Sequence, residues 1–285
     1  MAETEQSRRR FLQVASIGAA VSLAGASSCP GRVSSSAVRQ EGKQRFKLGL
    51  ASYTLRKFKL NETLAMTKRL GLKYICFKSF HLPLESTPAQ IQAVVAKVQE
   101  AGLILYGGGV ISMKTKEELN RAFDYAKEAG MKVIIGVPAP ELLPLVNEKV
   151  RQYDIKVAIH NHGPTDKLYP TPASAYERIK DLDKRIGLCN DIGHTMRAGV
   201  DPSESAEKFA DRLLDVHMKD VSAATAKGDA VEVGRGVIDV PKFLGTLVRI
   251  NYDGIVSFEY EKDADDPMAG LAESVGYVRG VLAVI

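Results

Sequence analysis

From about Arg45 to the C-terminus the chain switches repeatedly between a short apolar run and a longer stretch whose apolar positions fall three and four apart. The short runs have the length and β-branched content of strands, and the longer ones have the period of helices. Strands are expected at Lys47–Ala51, Lys73–Lys78, Leu103–Val110 and Lys132–Val137, then in the apolar runs that begin at Val157, Leu188, Leu214 and Ile255. Helices are expected between and after them, at Asn61–Leu70, Pro88–Ala101, Thr115–Ala129, Pro140–Tyr153, Pro172–Leu182, Pro202–Arg212, Val240–Ile250 and Met268–Val284. Gly71, Gly102 and Gly130 each follow a helix and precede a hydrophobic residue, the position where a left-handed residue ends a helix. Eight strand-then-helix units predict an α/β chain folded as one closed (β/α)8 TIM barrel over residues 45–285. An open doubly wound sheet would carry a Gly-rich phosphate loop after its first strand, and Ala51-Ser52-Tyr53-Thr54-Leu55-Arg56 has none. Gly107-Gly108-Gly109 lacks the spacing of such a loop and reads as close backbone packing.

The last four apolar runs end in chemistry. Side chains alternate between the faces of a strand, so one face groups Ala158, His160 and His162, then Cys189 with Asp191, then Asp215, His217 and Lys219, then Ser257, Glu259 and Glu261. The opposite face of the third run is Leu214, Val216 and Met218, and that of the fourth is Val256, Phe258 and Tyr260. A lone strand His is usually a satisfied core residue, Asp191 could cap a helix, and Glu259 could belong to a salt bridge. The coincidence of all four at matching positions on consecutive strands outweighs these readings. His160, Asp191, His217 and Glu259 are therefore expected to hold one divalent ion at the C-terminal mouth of the barrel. Imidazole and carboxylate ligands without thiolate suit zinc, manganese, cobalt or iron, and the residues do not choose among them.

Around these ligands, His162 and His194 are expected to contact substrate, and His81 follows the second strand. Lys78 shares the parity of Cys76, so it is expected either to point inward toward a hydroxyl or oxyanion of the substrate or to form an outer salt bridge. Lys219 shares the parity of His217 and can pair with Glu259 or Glu261, whereas Asp220 is expected to be structural. Glycines flank Arg235, and the backbone freedom they give lets that loop lower a guanidinium over the mouth.

Composition narrows the function. The 45% hydrophobic and 26% charged content is ordinary for a globular chain of 285 residues, and the net charge of +5 is spread through the sequence. No basic stripe interleaved with aromatics occurs, so nucleic acid is not an expected partner. The N-terminus differs. Ser7-Arg8-Arg9-Arg10-Phe11-Leu12 precedes an apolar stretch from Val14 to Ala26 and then small residues and Cys29. That order is a twin-arginine export signal, expected over residues 1–29, with a Ser-rich linker over 30–44. The chain is thus expected in the periplasm, with a membrane attachment only if Cys29 is lipidated. Beyond Cys29, Cys76 and Cys189 lie far apart in apolar runs and are expected to be small buried hydrophobes.

The runs Asn161-His162-Gly163, Asp191-Ile192-Gly193-His194, Asp215-Val216-His217-Met218-Lys219-Asp220, Gly234-Arg235-Gly236-Val237-Ile238-Asp239 and Phe258-Glu259-Tyr260 resemble the xylose isomerase-like barrel superfamily of sugar phosphate isomerases and epimerases. The resemblance covers nearly the whole chain after the signal. It implies one divalent ion held by Glu, Asp, His and Glu, positions that fall here on His160, Asp191, His217 and Glu259. It also implies that Glu259 is catalytic, exchanging a proton at the reacting carbon. The departure is His160, where such epimerases carry the Glu that serves as the second acid–base group, and Arg235 stands where Glu is usual. An exported member without a phosphate cradle is expected to act on a free or oxidised saccharide, as an isomerase or epimerase abstracting a proton beside a carbonyl. The alternatives are a lyase or hydratase acting on a keto-sugar, which needs only one base, and an exported sugar- or metal-binding module. A DNA-repair endonuclease of the same superfamily would need a larger His/Glu cluster, and export removes its DNA.

Overall fold

The structure, a computed structural model, describes residues 44–285; the proposed export signal, Cys29 and the linker up to residue 43 lie outside the described residues. Eight parallel strands close into a barrel: β1 (Lys47–Ala51), β2 (Tyr74–Phe77), β3 (Ile104–Met113), β4 (Val133–Pro138), β5 (Lys156–His160), β6 (Ile186–Asp191), β7 (Leu213–Met218) and β10 (Ile255–Phe258). The first and last strands form the seam, with Gly49 opposite Ser257 and Leu50 opposite Phe258. Two residues from each of β8 (Asp220–Val221) and β9 (Ala230–Val231) make a short antiparallel ribbon after β7.

Helices cover the outside where the 3.6 period placed them: α1 (Leu60–Arg69), α2 (Pro88–Glu100), α3 (Lys116–Glu128), α4 (Leu143–Tyr153), α5 (Pro172–Ile179), α7 (Pro202–Lys208), α8 (Val240–Arg249) and α9 (Met268–Leu282). Their starts follow local chemistry. Thr87, Thr115 and Thr171 accept the amides of Gln90, Glu118 and Ser174, and Pro88 and Pro172 open two of these helices without losing a hydrogen bond. An additional one, α6 (Ile192–Arg197), begins directly at the end of β6. It was not expected, because Asp191 both ends a strand and caps the helix by accepting the His194 amide at 2.8 Å.

Two apolar layers follow from the alternation. The large outer core packs strand faces such as Val157, Ile159, Leu188, Val216, Met218, Val256 and Phe258 under the helices. A small inner cluster of Cys76, Tyr106, Val133, Ile135, Ala158 and Cys189 fills the barrel, so both cysteines are buried hydrophobes as expected. Leu214 departs from its expected side: the β6–β7 ladder passes from Leu188–Leu213 to Cys189–Asp215, and Leu214, left over in the bulge, packs against the inner cluster. Gly187 opposite leaves room for it, since a Cβ there would lie 2.6 Å from Leu214 Cγ. The triple glycine lies within β3 and is close packing, with Gly107 sitting where a Cβ would be 2.9 Å from Val133.

Candidate metal centre at the barrel mouth

Each ligand candidate arrives at the C-terminal end of its strand. His160 is the last residue of β5, Asp191 the last of β6, His217 the penultimate of β7, and Glu259 follows β10 immediately. Asp191 stands opposite His217 in the β6–β7 ladder, and Ser257, just below Glu259, stands opposite it on the other side. One ligand atom from each of the four residues falls within 4.8 Å of the other three, and all four are buried. His160 Nε2 is 3.1 Å from His217 Nδ1 and 3.3 Å from Asp191 Oδ2, while His217 Nδ1 is 3.1 Å from Glu259 Oε2. Lone pairs converging at such separations fit one divalent ion with N and O ligands.

Polar neighbours brace the ligand candidates. Asn161 accepts the Asp191 amide at 3.1 Å and donates to Thr195 Oγ1, which in turn donates to Asn190 Oδ1 and the Asp191 carbonyl. These consecutive polar residues beside two ligands were a sequence signal for bracing that strand alternation alone does not reveal. Asp215 lies beneath His217, its Oδ1 3.8 Å from Nε2 and 3.5 Å from the Cys189 thiol. Burial raises the Asp215 carboxyl to about 7, against the pull of the His217 ring.

The charges of the centre depend on one lysine. Lys219 is fully buried, and its ammonium lies 2.9 Å from Asp191 Oδ2, 2.8 Å from Glu259 Oε2 and 3.0 Å from Glu261 Oε1. Burial alone would raise both carboxyls, but Lys219, with the neighbouring histidines, holds Asp191 and Glu259 well below the usual carboxylate range. Burial would lower the lysine, and the three carboxylates reverse that and raise it. His160 is pushed down to about 3 by burial, so it is a neutral imidazole with a free lone pair, the form a metal requires. His217 goes the other way, raised by Glu259 despite its burial.

The substrate candidates separate. His162 and His194 rim the centre, their rings 4.4 and 6.0 Å from that of His160. Gly163 makes this possible: it adopts a positive φ of 82°, and a Cβ there would press on the His194 ring at 3.2 Å. Burial lowers both histidines, keeping them neutral. Lys78 donates to the Val110 carbonyl at 2.5 Å, and burial lowers its ammonium against the upward pull of Glu259. Arg235 does not join them. Its guanidinium is held in a two-pronged ion pair by Glu273 of α9, at 2.5 and 2.7 Å, on the exposed surface. The glycines beside it serve Asp220 instead, which accepts the amides of Val221, Gly234, Gly236 and Ile238 and is structural as expected. His81 is likewise used by the fold, its Nε2 3.0 Å from Thr63 Oγ1 and 3.1 Å from the Phe58 carbonyl.

The xylose isomerase-like TIM barrel family model matches residues 37–281. This chain belongs to that family. Among curated relatives, the inosose dehydratase of Geobacillus kaustophilus is 27% identical over 130 residues, covering 40% of this chain and 41% of the dehydratase. Such matches span about two fifths of the length of the curated relatives. Two solved structures are similar in fold. The IOLI protein with a bound zinc atom superposes with a TM-score of 0.70 at 17% identity, over 84% of this chain and 98% of that one. The 3-keto-D-glucoside 4-epimerase of E. coli gives 0.67 at 18% identity, over 82% and 99%.

Proposed function

We propose that this family member is a metal-dependent sugar isomerase or epimerase that removes a proton beside a carbonyl of a free or oxidised saccharide. The observation that carries the reading is the convergence of His160, Asp191, His217 and Glu259 within 4.8 Å at the barrel mouth. These four residues would hold one divalent ion, which when bound polarises a substrate carbonyl and acidifies the neighbouring C–H. Glu259 is kept ionised by Lys219, so it is in the form that accepts a proton. His162 and His194 at the rim would each offer a sugar hydroxyl the Nε2 edge of the ring, since Nδ1 of His162 faces Asp166 and Nδ1 of His194 faces Arg197, and Lys78 would offer a further cationic donor. The saccharide is a small-molecule partner, and the names of the relatives support that class.

A second reading rests on His160. With an imidazole at His160, where the resembling epimerases carry a second acid–base carboxylate, Glu259 would be left as the base at the reacting carbon. Elimination from a keto-sugar needs one base, and the similarity to an inosose dehydratase supports a lyase or hydratase. Export through the twin-arginine route is also part of the proposal, since it sets which saccharides the protein meets.

Proton NMR in deuterium oxide tests the reaction with metal-loaded protein and a panel of free and 3-keto saccharides. Exchange of an α-proton with the carbon skeleton intact supports the isomerase, and an unsaturated or cleaved product supports the lyase. Glu259→Gln keeps the shape but removes the basicity, so either rate is expected to fall by about a hundredfold or more. Saccharide binding with no exchange and no product across the panel would leave the binding-module reading.

A further inference from the structure

The two ligand carboxylates already have a cation. Lys219 Nζ touches Asp191 Oδ2 and Glu259 Oε2, and these are the oxygens that face His160 and His217 across the centre. A divalent ion on those oxygens and an ammonium within hydrogen-bonding distance of both would repel one another strongly in a buried site. The structure also provides a third carboxylate. Glu261 Oε1 is 3.0 Å from the same ammonium, and its side chain is one-quarter exposed, so it lies toward the mouth, outside the ligand set. Its backbone is pinned there by Arg56, whose Nη2 donates to the Glu261 carbonyl at 2.8 Å. The lysine has a path as well as a destination. Its stem crosses Gly193, where any side chain would collide with its Cγ and Cδ, and its four-carbon chain lets the head move while the stem stays packed.

We propose that Lys219 is the resident counter-cation of the metal-free centre, and that Glu261 is the carboxylate that keeps it when a divalent ion takes Asp191 and Glu259. In this scheme the pair sets metal affinity: the ion must displace an ammonium, and Glu261 lowers the cost of the displacement. Lys219 and Glu261 are positioning residues here, acting through the ligands. The proposal rests on the reading of the four residues as a metal centre.

The test uses the full chain stripped with a chelator, and it reads affinity for Zn2+ and Mn2+ by competition with a chromophoric chelator, alongside thermal midpoints with and without metal. Lys219→Met, similar in length and uncharged, is expected to bind at least tenfold more tightly than the wild type. Its metal-free form should melt lower, having lost the cation between two buried carboxylates, and should gain more on adding metal. Glu261→Gln in the wild-type background is expected to weaken binding several-fold. The same change in the Lys219→Met background should have no effect, because there is no ammonium left to receive. A wild type that binds metal with a Lys219→Met variant that binds no more tightly would overturn the role of the lysine while leaving the metal centre standing. Equal weakening by Glu261→Gln in both backgrounds would overturn the role of Glu261. Folded wild type and Lys219→Met that both take up no metal would overturn the metal centre and this proposal together. If Lys219→Met does not fold without metal, Glu261→Gln decides alone: unchanged affinity overturns the proposal.

Discussion

Glu232 shows how strongly one side chain can be tied to the acid–base state of its neighbours. It follows β9 and accepts the Lys262 ammonium and the Tyr260 hydroxyl, each at 2.9 Å. Lys262 first, then its own backbone amide and the tyrosine, hold its carboxyl down to about 2, even though burial pulls upward. An unfolded Glu titrates at about 4.3. A carboxyl depressed on folding contributes stability above the unfolded value and loses it as pH falls through the folded one. The contribution of Glu232 is thus complete above about pH 4.3 and fades toward about pH 2. Glu232→Gln keeps an acceptor for Tyr260 but removes the titration. Urea midpoints should place the variant below the wild type at pH 6, and the gap should close between about pH 4.3 and 2. Legibility at this scale was uneven. The four ligand candidates were readable because each sits at the same end of an alternating run. Lys219 was readable as a partner of Glu259 or Glu261 by parity, but its contact with Asp191 was not, because Asp191 ends the strand on the other side of β7 and one ammonium reaches both neighbours. Arg235 looked poised over the mouth, and its actual partner, Glu273, lies in a helix 38 residues later.

At the level of elements, the loop after β7 depends on a single carboxylate. Asp220 is fully buried and receives four backbone amides between 2.8 and 3.2 Å, from Val221, Gly234, Gly236 and Ile238. Gly236 passes so close that a Cβ there would overlap this carboxylate, and Gly234 takes a φ of 96° that other residues rarely adopt. The Gly-Arg-Gly motif is therefore shaped by Asp220 more than by its arginine. Asp220→Ala strands four backbone donors, two of them in buried hydrogen bonds, and is expected to cost about 3 kcal/mol, read from urea unfolding. Asp220→Asn should recover part of it, because one acceptor oxygen remains. Strands and long helices were legible from period and caps. The bulge at Leu214 and the six-residue α6 were not, since a bulge answers to the space left by Gly187 on a neighbouring strand, and α6 starts inside a strand-like run.

For the whole molecule, the eightfold alternation carried the fold, and closure then placed four strand ends around one point. Among the described residues no helix is long and apolar enough to cross a membrane. The proposed export therefore rests on the first 29 residues. Replacing Arg8 and Arg9 together by Lys keeps the charge but removes the paired guanidinium signal, so the variant should stay in the cytoplasmic fraction at its uncleaved length. Release of mature-length wild type to the periplasm through a route indifferent to this change would refute the twin-arginine assignment.

The seam between β1 and β10 has a consequence for biosynthesis. Lys47 to Leu50 pair with Ile255 to Phe258, so the first strand to emerge from the ribosome waits for the last. The interval is about 200 residues, which at about 5–20 residues per second is about 10–40 s of synthesis. Throughout that time β1 presents one bare hydrogen-bonding edge, and so does whichever strand was added most recently. A nascent chain of this design therefore carries two unpaired edges until its last strand is made. A truncation that removes β10 would make that exposure permanent, leaving an open sheet with edges on β1 and β7.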